Sequence, residues 1–257
     1  MKLLRDIWLI FQRQALQLLR NPVWVFVGIF QPVTYLLLFA PLLERALAPL
    51  GVTTAAEAYQ VFVPGVLVML AIFGGLFQGF GLIAELRAGI LERSRVTPVS
   101  RLALLLGRSF RDAATMMFQA IIITALALAF GLRAHLGYIL LAYLFLALIS
   151  LMTSALSYGV ALKLRSEAAL APLMNTVALP VFLLSGILLP ISRDFGAPSW
   201  LVVAARLNPF SWAVIGVRAL FAGNPGDDAI WLGLLFTAVL TALAVAWAAR
   251  AFARSVR

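Results

Sequence analysis

Six long apolar stretches follow one another along this chain, at residues 23–43, 60–83, 112–131, 138–162, 170–191 and 229–249. A helix needs roughly 20 predominantly apolar residues to cross a membrane, because the hydrocarbon core has no water to satisfy backbone groups. The apolar residues recur with a helical period, and no segment alternates as the strands of a membrane barrel do. The sequence therefore predicts an all-α polytopic membrane protein with six transmembrane helices.

The composition excludes a soluble globular fold. Hydrophobic residues make up 63% of the 257 residues, whereas soluble domains contain about 45–50%. The sequence has no cysteine, so disulfide bonds and thiol chemistry are excluded as well.

The formal net charge of +10 is concentrated on one predicted side of the membrane. Alternate loops and their borders, at residues 1–22, 85–112, 163–167 and 250–257, contain 15 of the 20 Lys and Arg residues but only 5 of the 10 acids. Cytoplasmic loops of membrane proteins carry such an excess of basic residues. We therefore expect both termini and residues 85–112 in the cytoplasm, and no binding of nucleic acid.

Residues 1–22 are predicted to form an interfacial amphipathic helix on the cytoplasmic face. Trp8 suits the headgroup boundary, and Arg5 and Arg13 occupy the face opposite the apolar residues. A plain membrane anchor and a contact with a partner protein both fit this pattern.

Residues 85–112 form a basic island with six arginines and three acids. Helix–helix connections need only about two to eight residues, so this segment is longer and more charged than a simple loop. Thr97 and Pro98 mark a break, because proline disfavours helix at the preceding residue. We expect a short helix over 86–95 and a longer one from Pro98. The island is either a docking element or a topology determinant whose arginines reach the lipid headgroups.

Residues 192–228 are predicted to form an external re-entrant region. Asn208 and Pro209 divide its apolar part into two pieces that are too short to span, and we expect two short helices at the outer interface.

No catalytic residue, metal site or cofactor site is predicted within this chain. A phosphate-binding loop needs a lysine after glycine, and neither Lys2 nor Lys163 follows one. The single histidine, His135, lies in a short external loop. The predicted membrane cores carry ionisable residues only at their ends, which argues against a proton-coupled carrier. Another subunit is therefore expected to supply the energy.

Small and aromatic residues share the second apolar stretch. Gly75 and Gly79 match the small-xxx-small pattern of close helix packing. Phe73, Phe77 and Phe80 either line an apolar passage or face lipid. On the fourth stretch, four hydroxyl residues at helical spacing predict helix packing: Ser150, Thr153, Ser154 and Ser157.

Two motifs carry a resemblance to a known family. The first, in the basic island, is E-x-R-x-G-x-L-E-R-x-R-V-T-P-V-S-R at residues 85–101. The second is L-N-P-F at residues 207–210, followed by R-A-L-F at 218–221. With the interfacial helix, six spans and re-entrant region, the chain resembles the type-2 ABC transporter permeases of the daunorubicin-resistance exporter kind over nearly its whole length.

The resemblance implies that residues 1–257 form a single type-2 ABC transmembrane domain in a prokaryotic plasma membrane. It also implies a second permease copy, identical or closely related, and two cytoplasmic ATPase subunits that bind ATP and Mg²⁺. Residues 85–98 would be the coupling region that docks on the ATPase. Its implied contacts are Glu85, Arg87, Gly89, Leu91, Glu92, Arg93, Arg95, Thr97 and Pro98.

Further site residues are implied by the same resemblance. The N-terminal helix would brace the ATPase through Arg5, Trp8 and Arg13. The substrate path would run between the two permeases, beside Met69, Phe73, Phe77, Asn175 and Phe182.

The leading functional hypothesis is an ATP-driven exporter permease for amphipathic compounds, because charge-free spans suit drug-like molecules or lipids. One alternative is a permease for polysaccharides or lipid-linked glycans. The other is a membrane scaffold subunit that does not transport.

Overall fold

A computed structural model describes residues 2–20, 23–47, 54–89, 100–188, 191 and 196–255. These residues contain helices and no strand, so the all-α prediction is confirmed for the described part of the chain. Within the described ranges there are ten helices: α1 Lys2–Arg20, α2 Val23–Leu47, α3 Ala55–Leu76, α4 Gln78–Arg87, α5 Arg101–Ala129, α6 Leu136–Leu164, α7 Glu167–Leu184, α8 Ser199–Leu207, α9 Pro209–Ala222 and α10 Asp228–Ser255.

In the part of the chain that the structure describes, five helical segments are long and apolar enough to cross a membrane. They are α5, α6, α7, α10 and the segment Ala56–Arg87, which combines α3 and α4. The pair α8 and α9 bends by 92° and makes a sixth candidate if it is counted as one span. In α2, which has 25 residues, Phe26–Leu38 qualifies as a shorter apolar helix. The multi-pass architecture is thus confirmed with five to six candidate spans among the described residues.

Helix α6 lies at the centre of the bundle and packs against α3, α4, α5, α9 and α10. Its apolar residues are distributed over all sides, as expected for a helix that packs against several others. Phe145, Leu146 and Ile149 are fully buried in the larger core cluster.

The approach of α3 and α4 to α6 is close because both sides carry small residues. A Cβ atom at Gly75 would lie 2.0 Å from Oγ1 of Thr153, and one at Gly79 would lie 2.7 Å from Oγ of Ser157. Only glycine fits at such distances, as in close-packed membrane helices. The predicted packing role of the hydroxyl stripe is confirmed, since Ser150, Thr153, Ser154 and Ser157 are all buried.

Helix α7 lies at the edge of the bundle. Its buried residues are Leu170, Met174 and Ala178. Most of its remaining surface is exposed, including Leu173, Val177, Leu179 and Leu183. This exposed surface of α7 is free to meet lipid or another protein.

The sequence correctly predicts that residues 208 and 209 divide the stretch 192–228 into separate helices. The Asn208 side chain caps α9 by accepting from the Phe210 N–H at 3.1 Å, and it donates to the Val181 carbonyl at 2.6 Å. Arg218 donates to the carbonyls of Val61 and Ile187, both at 2.9 Å. These bonds fasten α9 to α3 and to the end of α7. Whether α8 and α9 dip into the membrane stays a prediction.

Candidate functional site

The basic island begins and ends on two neighbouring helices of the bundle. Its first residues lie on α4, which ends before Gly89, where a positive φ of 67° favours glycine. After the island, Ser100 caps α5 by accepting from the Ala103 N–H at 3.1 Å. The predicted helix start at Pro98 was therefore too early, because α5 begins at Arg101. The remaining coupling-region residues lie outside the described residues: Leu91, Glu92, Arg93, Arg95, Thr97 and Pro98.

An ion pair joins the two helices that flank the island. Arg108 of α5 donates to the carboxylate of Glu85 of α4. The Arg108 side chain is 8% exposed and that of Glu85 is 24% exposed, so the pair is largely shielded from solvent. Because the pair is shielded, the attraction is screened less than in water. The bond holds the end of α4 against α5.

A second set of polar groups extends this contact to α6. The Tyr158 hydroxyl donates to Oδ2 of Asp112 at 2.5 Å. Nη2 of Arg111 lies 3.0 Å from Oδ1 of Asp112, but that oxygen has no well-aligned hydrogen bond. Arg111 and Asp112 are adjacent on α5, so their charged groups come close without the alignment that a hydrogen bond needs. We call Glu85, Arg108, Arg111, Asp112 and Tyr158 the polar cluster.

Sequence reasoning missed the polar cluster as a unit. It placed Asp112 at the start of the third span and treated the charges there as residues at a helix end. In the structure the Asp112 side chain is 1% exposed, and its partner Tyr158 lies 46 positions away in the sequence. The available signal was the concentration of charges at residues 85–112, which indicates a site but cannot show its partner on α6.

A solvent-exposed ion pair connects the coupling region to α7. Nη1 of Arg87 lies 3.2 Å from Oε1 of Glu167, which is in the first turn of α7. Exposed pairs of this kind contribute only about 0–1 kcal/mol to stability. The pair therefore matters for its position more than for its energy, because it connects the start of the basic island to α7 at the edge of the bundle.

Helix α1 packs on α5, the helix that leaves the island. A Cβ atom at Gly107 of α5 would lie 2.7 Å from Cβ of Ile10, so the two helices touch closely there. Trp8 is exposed and stacks on Phe11 with ring centroids 5.4 Å apart. Arg5 and Arg13 are also exposed. All three predicted bracing residues are therefore accessible.

Three phenylalanines form a continuous stack where α3 meets α4. The ring centroids of Phe73 and Phe77 are 6.1 Å apart, and those of Phe77 and Phe80 are 5.9 Å apart. We call Phe73, Phe77 and Phe80 the aromatic ladder. Phe182 of α7 meets Phe73 edge-on at 5.6 Å, and Phe77 is 37% exposed. The ladder thus offers an accessible aromatic surface between the candidate span Ala56–Arg87 and α7.

The structure brings together three of the five predicted path residues: Phe73, Phe77 and Phe182. Met69 is instead enclosed in the core at 5% exposure. Asn175 is exposed on α7 and lies seven residues before Phe182, which places the two on the same helical face. The predicted path therefore maps to a surface of aromatic rings with one amide, and Met69 belongs to the buried core instead.

Comparison with known proteins agrees with this architecture. Residues 5–222 match the family model described as ABC-2 type transporter. The chain is 28% identical over 222 residues to a protein named transport permease ycf38 from Cyanophora paradoxa, covering 85% of this chain and 75% of that protein. It is 24% identical over 225 residues to the daunorubicin resistance ABC transporter permease protein DrrB1 from Streptomyces coeruleorubidus, covering 86% and 77%.

The family match covers most of the chain. Its bounds include nearly all of α1, the helices on both sides of the basic island, the aromatic ladder and α9. The helical bundle with five to six candidate spans among the described residues can satisfy its backbone groups in lipid, as a membrane permease must. The chain belongs to the ABC-2 type transporter family of membrane permeases.

Proposed function

We propose that this chain is the permease subunit of an ATP-driven exporter. It moves amphipathic substrates, drug-like molecules or lipids, out of the cytoplasm or the inner leaflet. The observation that carries the proposal is the aromatic ladder, which is accessible between two candidate spans of an ABC-2 permease. Stacked rings bind flat or apolar groups, and an exposed aromatic surface of this kind suits a drug better than an ion. One relative is named for resistance to daunorubicin.

A transport assay tests this proposal directly. The permease is reconstituted in proteoliposomes with its ATPase, and daunorubicin movement is followed by fluorescence. We expect movement that requires ATP, and a fluorescent phospholipid analogue tests the lipid class in the same vesicles. ATPase binding without transport of any cargo, glycans included, would favour the scaffold alternative. Transport that needs a pH gradient but no ATP would refute the proposal that ATP drives transport.

The energy is proposed to come from two cytoplasmic ATPase subunits, which bind ATP and Mg²⁺. They dock on the coupling region, residues 85–98, and α1 braces them. ATP binding must stabilise one arrangement of the permeases more than another. If ATP bound with equal affinity in both arrangements, the equilibrium between them would not shift. The polar cluster supports this role, because it ties both helices that flank the island to α6.

Alanine at Glu92 or Arg93 is expected to weaken association with the ATPase about tenfold or more, because charged contacts at a docking surface are lost. Membrane insertion should stay normal, since neither residue belongs to an apolar stretch. Pull-down of the ATPase from detergent extracts measures the effect. Arg133→Ala is the control, because Arg133 lies in an exposed loop on the other predicted side. Normal association and transport by both variants would show that the docking assignment is wrong.

A second permease copy is proposed to cover the outer face of α7. Asn175 and Thr176 are exposed there among apolar residues, and an amide in contact with lipid tails lacks hydrogen-bond partners. The exposed face of α10, with Trp231, Leu235, Phe236 and Val239, is apolar and suits lipid. The polar groups therefore favour α7 as the side that meets another protein.

The chain has no cysteine, so single-cysteine variants report this contact cleanly. Asn175→Cys in native membranes is expected to form a disulfide-linked dimer under mild oxidation. Leu235→Cys, which is 64% exposed on α10, should stay monomeric on the same gel. Equal cross-linking at both positions, or none at Asn175→Cys, would contradict the proposed interface.

The topology completes the proposal. The proposed topology has six spans, of which α2 is the first, and α8 and α9 form the external re-entrant region. With an even number of spans, both termini lie on the same side, which is the cytoplasmic side of a prokaryotic plasma membrane. The excess of basic residues in alternate loops supports this orientation.

A further inference from the structure

The candidate span Ala56–Arg87 is interrupted at a single residue. Helix α3 ends at Leu76 and α4 begins at Gln78, although Ala56–Arg87 is one apolar segment of 32 residues. The Phe80 N–H donates to the Phe77 carbonyl at 3.3 Å. In a regular α-helix that N–H would donate to Leu76 instead. The break therefore removes helical hydrogen bonds in a segment of membrane-spanning length, where unsatisfied backbone groups cost several kcal/mol.

One side chain of α6 replaces the missing bonds. The Ser157 hydroxyl accepts from the Gly79 N–H at 2.9 Å and donates to the Leu76 carbonyl. It thus satisfies a donor and an acceptor on opposite sides of the break. On the same segment, the Gln78 side-chain amide donates to the Gly74 carbonyl at 3.0 Å.

The break lies within the aromatic ladder. Phe73 belongs to α3, Phe77 is the residue between the helices, and Phe80 belongs to α4. The two stacked contacts, at 6.1 Å and 5.9 Å, therefore join rings on both sides of the break. Because each ring is carried by its own backbone segment, the stacking depends on the angle that the break keeps between α3 and α4.

We propose that Ser157 is a positioning residue for substrate recognition. It bridges the break between α3 and α4 and so keeps Phe73, Phe77 and Phe80 aligned as one surface for an amphipathic substrate. Ser157 is itself fully buried and acts only through the ladder. The inference rests on the proposed function, since it takes the ladder to be the surface that contacts the cargo.

The test compares Ser157→Ala with Ser154→Ala. Both serines are fully buried on α6, but the Ser154 hydroxyl donates to the Leu151 carbonyl of its own helix at 3.2 Å. The purified permease is placed in lipid nanodiscs with 4-fluorophenylalanine in place of Phe77. Fluorine NMR then reports the surroundings of that ring, and amide hydrogen exchange reports Gly79. Daunorubicin affinity is measured by fluorescence on protein without the label.

We expect Ser157→Ala to move the fluorine resonance and to speed exchange at Gly79 about tenfold or more, because a buried donor loses its acceptor. The daunorubicin Kd should rise about threefold or more. Ser154→Ala should match the wild type in all three measurements. Ser157→Thr keeps the hydroxyl and should preserve the wild-type resonance. If Ser157→Ala does not fold, Ser157→Cys takes its place, because a thiol is only a weak hydrogen-bonding group and should give the same changes.

Three outcomes separate this inference from the proposed function. An unchanged resonance and unchanged exchange in Ser157→Ala would refute the bridging role. A second outcome is that the fluorine resonance and the Gly79 exchange both change in Ser157→Ala while its daunorubicin Kd stays at the wild-type value. If Phe77→Ala still weakens drug binding in that case, Ser157 has no role in substrate recognition, and the proposed function survives. If the resonance moves but the wild type binds no daunorubicin, the alignment of the ladder is supported and the drug cargo is refuted.

Discussion

Asp112→Ala is expected to destabilise the bundle by about 3–5 kcal/mol, the range for breaking a buried ion pair from one side. The Asp112 side chain is 1% exposed, and its removal leaves the largely buried Arg111 guanidinium without its nearest anion. The Tyr158 hydroxyl loses its acceptor at the same time. Unfolding in mixed micelles with increasing SDS measures the loss.

Two further variants show whether burial is the cause. Tyr158→Phe removes only the hydroxyl and should cost about 1.5–3 kcal/mol, as for a hydrogen bond to a charged group. Arg87→Ala breaks an exposed ion pair with Glu167 and should cost about 1 kcal/mol or less. Equal losses in Asp112→Ala and Arg87→Ala would show that the polar cluster does not contribute through burial.

Phe77→Ala is expected to weaken daunorubicin binding and transport about tenfold. The substitution removes the central ring of the aromatic ladder and both of its stacked contacts. An aromatic contact contributes about 0.5–1.5 kcal/mol beyond its buried area, and a tenfold change corresponds to about 1.4 kcal/mol. The Kd for the drug and the KM for transport should both rise, while the basal ATPase rate stays normal.

Phe118→Ala is the matched control for Phe77→Ala. Phe118 is 56% exposed on α5 and is not part of the ladder. Its replacement should leave the drug affinity unchanged. Equal weakening by both substitutions would indicate a general effect of exposed phenylalanines and contradict the ladder as the binding surface.

The sequence by itself was sufficient to predict the helical membrane architecture, because the length and hydropathy of each segment are local properties. A segment that cannot expose its backbone to lipid must form a helix, wherever its neighbours lie. The same reasoning located the division of the external stretch at Asn208 and Pro209, since proline and a capping side chain act within a few residues. The glycines and hydroxyl residues that allow α3 and α4 to approach α6 were also recognisable from their spacing.

Only the tertiary structure decided which distant groups meet. The break at Phe77 has no proline to mark it, and its bridging group is Ser157 of another helix. The polar cluster likewise needs Tyr158 beside Asp112. Phe73 and Phe182 meet because α7 lies against α3. Periodicity indicates which face of each helix is apolar, but partners on different helices depend on how the helices pack, and packing is a property of the whole bundle.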